Sequence, residues 1–467
     1  MTRVVIIGGG PGGYEAALVA AQLGAAVTIV ERDGLGGSTV LTDCVPSKTL
    51  IATADLMTEV QGSAELGVRF GGPAAALDPA GVVGVDLAKV NERVLALAAA
   101  QSADIASRVE REGVTVLRGT GRLDGPDAVL VDLADGGRQR VEANAVLLAT
   151  GAHPRVLPTA QPDGERILTW EQVYTLDVPP ERLIVVGSGV TGAEFASAYD
   201  ALGVDVVLVS SRDRVLPGED ADAAEVLEDV FKRRGMTVLS RSRAESVTRD
   251  GDVVTVRLTD GQEVTGSHCL LAVGSVANTS DLGLDSAGVE VDDGGFITVD
   301  KVSRTTGRGV YAAGDCTGVL MLASVAAMQG RIAMWHALGD AVQPLDLRQV
   351  SSNVFTSPEI ATVGCTQQDV DGGEMDARSV TLPLSGNARA KMQGVHDGFV
   401  KLFCRPGTGI VVGGVVVAPR ASELVHPIAL AVAGRLTVDQ VAHAFTVYPS
   451  MSGSIAEAAR RLHRAPD

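Results

Sequence analysis

The sequence predicts an α/β chain with two mononucleotide-binding units and a smaller α+β module after them. The first unit opens with the apolar run Arg3–Ile7, the turn Gly8-Gly9-Gly10-Pro11-Gly12-Gly13, a helix-like stretch at 15–23 and a strand-like one at 26–30. The same order returns at 183–186, Gly187-Ser188-Gly189-Val190-Thr191-Gly192, 194–202 and 204–209. Two such openings in one chain imply two nucleotide-binding domains, since a parallel strand buried on both faces reads as a continuous aliphatic run. Past about residue 345 the texture changes to short alternating strands, such as 398–403 and 410–417, followed by helical runs at 421–433 and 437–444.

Composition bounds the reading. The chain has 467 residues, 46% of them hydrophobic and 21% charged, enough for two to four domains with real cores. A formal net charge of −18 disfavours nucleic acid and anionic membranes as partners, while leaving room for a local basic pocket. The five cysteines, Cys44, Cys269, Cys316, Cys365 and Cys404, are widely spaced with no Cys-x-x-Cys, so neither a disulfide framework nor a metal site is expected. A reducing cytoplasm fits this usage. The start of the chain lacks the pattern of a signal peptide, and the alanine-rich stretch at 16–30 is interrupted too soon for a membrane span. A loop is expected over 62–84. A helix is expected over 86–111, with Val90, Val94, Leu97, Ile105 and Val109 near one face and Gly113 as its cap. Residues 460–467 read as a short charged end.

Each glycine turn fits Gly-x-Gly-x-x-Gly between a strand and a helix. The first glycine serves the tight turn, the second lets a pyrophosphate approach the backbone, and the third lets helix and strand pack closely. In the first loop these are Gly8, Gly10 and Gly13, with Gly12 beside them. Glu31 ends the next strand, where a carboxylate accepts both ribose hydroxyls. In the second loop they are Gly187, Gly189 and Gly192, and the strand ends instead in Ser210 and Ser211, then Arg212 and Arg214. A carboxylate there repels a 2′-phosphate, whereas arginine pairs with it. NADP is therefore expected to be accepted, with NAD also used. As an alternative, Arg212 and Arg214 are a solvated surface pair.

Several further signals fall in a fixed order. Thr150 and Gly151 close another apolar strand within Ala149-Thr150-Gly151, and Gly314-Asp315 ends the strand-like 310–313. Between them lies the second glycine loop with Glu194. Near the start stands Gly36-Gly37-Ser38-Thr39-Val40-Leu41-Thr42-Asp43-Cys44-Val45-Pro46-Ser47-Lys48, and downstream Phe355-Thr356-Ser357-Pro358-Glu359. With these motifs the whole chain resembles the pyridine nucleotide-disulfide oxidoreductases, and among them dihydrolipoamide dehydrogenase. The resemblance implies two Rossmann-like nucleotide-binding domains, for FAD and NAD(P), plus a C-terminal α+β dimerisation domain. The segments expected are 1–150 (FAD), 151–280 (NAD(P)), 281–345 (return to FAD) and 346–467 (interface), in a homodimer whose partner completes the active site. It further implies that Asp315 holds the ribityl chain of FAD, that Lys48 lies beside the flavin and pairs with Glu194, and that the Gly121 and Ala323 backbones touch FAD.

Two departures from the family pattern direct the functional reading. The family loop carries two cysteines; here Cys44 fills the flavin-proximal position and Thr39 the outer one. A dithiol relay needs one thiolate to attack and another to resolve. At the C-terminus the family's His-Pro-Thr-x-x-Glu is replaced by Tyr448-Pro449-Ser450-Met451-Ser452-Gly453. Tyrosine is a poor base at neutral pH, and neither His443 nor His463 sits at the motif position. The expectation is an FAD-dependent NAD(P)H:quinone oxidoreductase without disulfide reductase activity, resembling the quinone reductases of this family, with catalytic candidates Lys48, Glu194, Cys44 and Tyr448. The alternatives are a soluble pyridine nucleotide transhydrogenase, a retired enzyme kept as a scaffold, and a single-cysteine enzyme working through Cys44.

Overall fold

The computed structural model describes residues 1–68 and 83–463, so most of the loop expected over 62–84 and the tail beyond 463 lie outside the described residues. The chain forms two compact units. One contains residues 1–49, 91–155 and 274–346; the other contains 50–90, 156–273 and 347–467.

The first unit is built on a seven-stranded sheet. Its order is Val310–Ala312, Ala145–Leu148, Arg3–Ile7, Ala26–Glu31, Thr115–Leu123, Ala128–Leu133 and Arg138–Glu142. The first five are parallel and the last two continue as an antiparallel meander. Val4, Ile6, Ile29 and Leu147 are fully buried on one face of this sheet, and Val5, Val146 and Leu148 face a second core. That two-sided burial is why the strands read as unbroken aliphatic runs. The helices Pro11–Gln22 and Ala323–Ala337 pack on the first face. A Cβ on Gly330 would stand 2.0 Å from the Gly12 carbonyl oxygen, so glycine is what lets these helices meet.

The long helix runs Leu87–Arg111 and ends at Gly113, whose φ of +78° is the left-handed cap expected. Its buried stripe is Leu87, Asn91, Val94, Ala98, Ile105 and Val109. Leu97, expected on that face, is exposed, because it lies at the edge of the arc those residues define.

In the second unit a five-stranded parallel sheet has the order Thr237–Leu239, Asp205–Val209, Arg182–Val186, His268–Leu271, Ile167–Thr169. A three-stranded antiparallel sheet follows, Ala244–Asp250, Val253–Leu258 and Glu263–Gly266. The C-terminal part is a five-stranded antiparallel sheet, ordered Ser351–Val354, Glu359–Gly364, Val411–Ala418, Phe399–Cys404, Arg378–Pro383. The helical run expected over 421–433 is divided at Val425 into Ala421–Leu424 and His426–Ala433, where His426-Pro427 opens the second piece. A capping box formed by Thr437 and Gln440 starts the helix Val438–His443.

A buried ion pair ties the C-terminal sheet to the start of the helix Ala221–Arg233 within this unit. Lys401 Nζ lies 2.9 and 2.8 Å from the two carboxylate oxygens of Asp220, and both side chains are almost wholly buried. The same carboxylate caps the helix Ala221–Arg233 through the amides of Asp222 and Ala223. Removing one partner of such a pair costs about 3–5 kcal/mol, since a charge is left buried alone.

Candidate active site

The first glycine loop is fixed by sterics. Gly8 has φ +102° and donates its N–H to Val30 O at 2.9 Å; a Cβ there would lie 2.2 Å from Ala149 O. On Gly13 a Cβ would meet Gly8 O at 1.9 Å, and on Gly12 it would press on Ala313 Cβ at 3.1 Å. Gly10 meets nothing closer than Gly37 Cα at 4.0 Å, so its outer side is open for a phosphate group. No side chain caps the helix that begins at Pro11. Glu31 is held by backbone amides: Gly9 donates to Oε2 at 2.6 Å, and Asp33 and Gly34 donate to Oε1 at 2.6 and 3.2 Å. A carboxylate so fixed keeps free lone pairs for ribose hydroxyls.

The other flavin-side candidates lie in the same unit. Thr150 and Asn278 bond reciprocally: the Thr150 hydroxyl donates to Asn278 O at 2.7 Å, and Asn278 Nδ2 donates to Thr150 O at 2.9 Å. Gly151 follows at φ +68°. Gly314 has φ +84° and donates its N–H to the buried Gln329 Oε1 at 2.9 Å, while Gln329 Nε2 donates to Thr317 Oγ1 at 3.3 Å. Gln329 therefore sets the turn that presents Asp315. The Asp315 carboxyl is half-buried, and burial, then the charge of Asp43, pushes it up to about 6. Ala323 begins a 15-residue helix with no side-chain cap. Gly121 is buried, with room for no Cβ against Val30 and Ile7 at 3.2–3.3 Å, so close packing accounts for this glycine.

The redox-type loop packs directly on the glycine turn. Gly36 N–H donates to Gly9 O at 2.8 Å, and a Cβ on Gly37 would lie 2.9 Å from Gly10 Cα. Thr39 sits in the short helix Gly37–Leu41, and Cys44 is the first residue of the helix Cys44–Gly62. Lys48 follows one turn later on the same face. None of the five cysteines forms a disulfide. Cys316, in the same unit as Cys44, is fully buried, with its sulfur 3.4 Å from Ala313 O and 3.6 Å from Leu148 O. Burial pushes its thiol up to about 11, which makes it inert as a resolving group.

In the second unit the same backbone device recurs. Gly187 has φ +113° and donates to Val209 O at 2.9 Å; a Cβ on Gly192 would meet Gly187 O at 1.9 Å. Gly189 has nothing within 4 Å of its Cβ position. Ser210, expected to line the nucleotide site, is instead fully buried, its hydroxyl 2.6 Å from that of Ser188 and accepting the Arg212 N–H at 3.1 Å. Its side chain turns inward because Ser188, the second residue of the glycine loop, supplies a polar partner there. Arg212 is exposed. Arg214 is half-buried, donates from Nη2 to Pro217 O at 3.4 Å and has its Nε buried without a hydrogen-bond partner. Glu194, on the helix Val190–Ala201, is 3% exposed, and its Oε1 accepts the Phe355 N–H at 2.9 Å.

Residues 2–330 match the family described as pyridine nucleotide-disulphide oxidoreductase, and 350–459 match the dimerisation domain of that family. The chain belongs to this family. It is 56% identical over 471 residues to the NAD(P)H dehydrogenase (quinone) of Mycobacterium tuberculosis, covering 99% of this chain and 94% of that one. To the dihydrolipoyl dehydrogenase of Zymomonas mobilis it is 32% identical over 459 residues, covering 97% and 96%. The crystal structure of LpdA from M. tuberculosis superposes with a TM-score of 0.93 at 55% identity, covering 99% of this chain and 100% of that one. The flavoprotein disulfide reductase RclA of Escherichia coli, at 22% identity and TM-score 0.86, covers 99% and 100% and shares the fold.

As a pyridine nucleotide-disulphide oxidoreductase the chain is a flavoenzyme that uses FAD with NAD(P)H. Its residues fit FAD on their own account. Asp315 receives no hydrogen bond from the described residues despite its burial, and ribityl hydroxyls would supply donors. Tyr448, at the family's histidine position, is 86% exposed, next to the exposed Phe445 and Val447. Asn387 anchors the base of that segment through Ser450 O and Ser454 Oγ at 3.0 and 2.8 Å. His443 and His463 both bond Asp439, not this segment. Sequence reasoning missed Gln329 and Ser188. For Ser188 a signal existed in the non-glycine second residue of its loop; for Gln329 the signal was a polar residue within the apolar first half of its helix.

Proposed function

We propose that this chain is an FAD-dependent NAD(P)H:quinone oxidoreductase with no lipoamide dehydrogenase or disulfide reductase activity. The observation that carries the reading is the single-thiol redox loop: Thr39 stands where a second thiol is needed, and Cys44 forms no disulfide. The 56% identity to an NAD(P)H dehydrogenase (quinone) supports it. The reaction balances as NAD(P)H, one proton and a quinone giving NAD(P)⁺ and a hydroquinone.

When bound, FAD supplies the two-electron chemistry between nicotinamide and quinone. The chain's own residues do the rest. Gly8, Gly10, Gly12 and Gly13 cradle the pyrophosphate, Glu31 takes the ribose hydroxyls, and Asp315, set by Gln329, holds the ribityl chain. Thr150, Gly151 and Ala323 complete that cradle. Lys48 would supply a positive charge beside the bound flavin, and Glu194 is fixed by the Phe355 amide. Cys44 would lie at the flavin. Gly187, Gly189 and Gly192 cradle NAD(P)H, and Arg212 and Arg214 tolerate a 2′-phosphate. Tyr448 is exposed because it belongs to the partner's site, where its hydroxyl hydrogen-bonds a quinone oxygen; the enzyme is a homodimer. No helix among the described residues is long and apolar enough to cross a membrane, and a cytoplasmic location fits cysteines that form no disulfide.

Purified holoenzyme with NADPH, given either a naphthoquinone or an NAD analogue, tests this reading. Turnover is expected with the quinone. Hydride transfer to the NAD analogue at an equal or higher rate would favour a transhydrogenase instead.

A further inference from the structure

The carboxyl end of the strand Asp205–Val209 has a second wall that no motif announces. The strand Thr237–Leu239 runs parallel to it, and the chain continues past both ends side by side. Ser210 N–H donates to Leu239 O at 2.9 Å, Ser242 N–H to Ser210 O at 2.7 Å, and Arg241 N–H to Arg212 O at 2.7 Å. Arg241 is thereby held beside Arg212 at the end of the sheet where open α/β folds bind their ligands. The loop bearing Arg212 and Arg214 is tied to the glycine turn by Leu216 N–H on Ser188 O at 2.9 Å.

Three features of this rim point to an anion. Arg241 sits at φ +55°, a left-handed conformation that costs an ordinary side chain about 1–2 kcal/mol and that glycine or asparagine would adopt more cheaply. Strain of this kind marks functional positions when the surroundings enforce it, as the two 2.7 Å backbone bonds do here. Second, none of Arg212, Arg214 and Arg241 forms an ion pair among the described residues, although the chain carries 57 acidic against 39 basic residues. Third, Arg214 buries its Nε without a partner. Three unneutralised cations on adjoining segments repel one another unless an anion lies among them.

We propose that Arg241 completes, with Arg212 and Arg214, a three-arginine site for the 2′-phosphate of NADPH. Arg241 is then a specificity-determining residue. This rests on the reading that the second glycine loop takes NADPH.

The test compares wild type, Arg241→Asn, Arg241→Lys and Arg212→Ala holoenzymes with one quinone, scoring the ratio of kcat/KM for NADPH to that for NADH. Arg241→Asn should lower the ratio by about 5–20-fold, Arg241→Lys by less, because a charge-assisted phosphate contact is lost in the first and weakened in the second. Thermal stability of Arg241→Asn should equal or exceed wild type, since asparagine suits the left-handed backbone. A ratio unchanged in Arg241→Asn while Arg212→Ala lowers it would overturn the assignment of Arg241 alone. A ratio unchanged in both would overturn the NADPH reading and this inference with it.

Discussion

The two glycine-loop sites share a backbone device and differ in charge at the strand-end residue. Gly8 and Gly187 both take a positive φ and donate to a valine at or next to the end of the neighbouring strand, Val30 or Val209. Gly13 and Gly192 both stand where a Cβ would be 1.9 Å from the first glycine's carbonyl. The next position is Glu31 in one and Ser210 in the other. Glu31 fixes its carboxylate on the Gly9 amide and leaves a negative charge at the strand end. Ser210 closes on the Ser188 hydroxyl and leaves that place neutral, beside arginines. Sterics dictate the shared turn, and the strand-end side chain is where the two sites part in charge.

The largest expected effects come from breaking the shared part. Gly13→Ala should yield protein that has lost most of its FAD, read as the ratio of flavin to protein absorbance. Gly192→Ala should keep its FAD but lose NADPH-driven flavin reduction by about 100-fold or more, since a 1.9 Å overlap with backbone forces helix and strand apart. Exchanging the distinguishing residue sharpens the contrast. Glu31→Ser should weaken FAD about 10–100-fold in equilibrium titration, through loss of charge-assisted hydrogen bonds. Ser210→Glu should lower the NADPH to NADH kcat/KM ratio about 10-fold by repulsion of the 2′-phosphate.

A smaller effect follows from Asp315, which has no counterpart at the second site. Its folded carboxyl is raised to about 6, so its ionisation opposes folding of the flavin-free chain. The stability it contributes is complete below the unfolded value near 4 and is lost as pH rises through about 6. Asp315→Asn should therefore melt with wild-type apoprotein at pH 4 and above it at pH 8. The same variant should weaken FAD more at pH 8, where wild type offers a carboxylate to the ribityl hydroxyls, than at pH 5. Smallest of all, Cys44→Ser should leave NADPH:quinone turnover within about 3-fold of wild type, because one thiol carries no relay.

The sheets and both glycine loops were legible because their constraints are local: aliphatic runs, a turn that excludes Cβ, and an acid or its absence one residue past the strand. The burial of Ser210 was not, since it depends on Ser188, 22 positions away. Gln329 and Arg241 escaped for the same reason: Gln329 holds the Gly314 turn 15 positions away, and the Arg241 backbone meets that of Arg212 only through strand pairing. The division of the helical run at Val425 was signalled by Pro427 but outweighed by the apolar pattern around it.

The account's central claim is that electrons leave the flavin directly to a diffusible acceptor. Steady-state turnover of the purified holoenzyme with NADPH, scored side by side against a benzoquinone and oxidised lipoamide, tests it most directly. The account predicts rapid quinone reduction and no lipoamide reduction above background. Lipoamide turnover at a rate comparable with the quinone would contradict it.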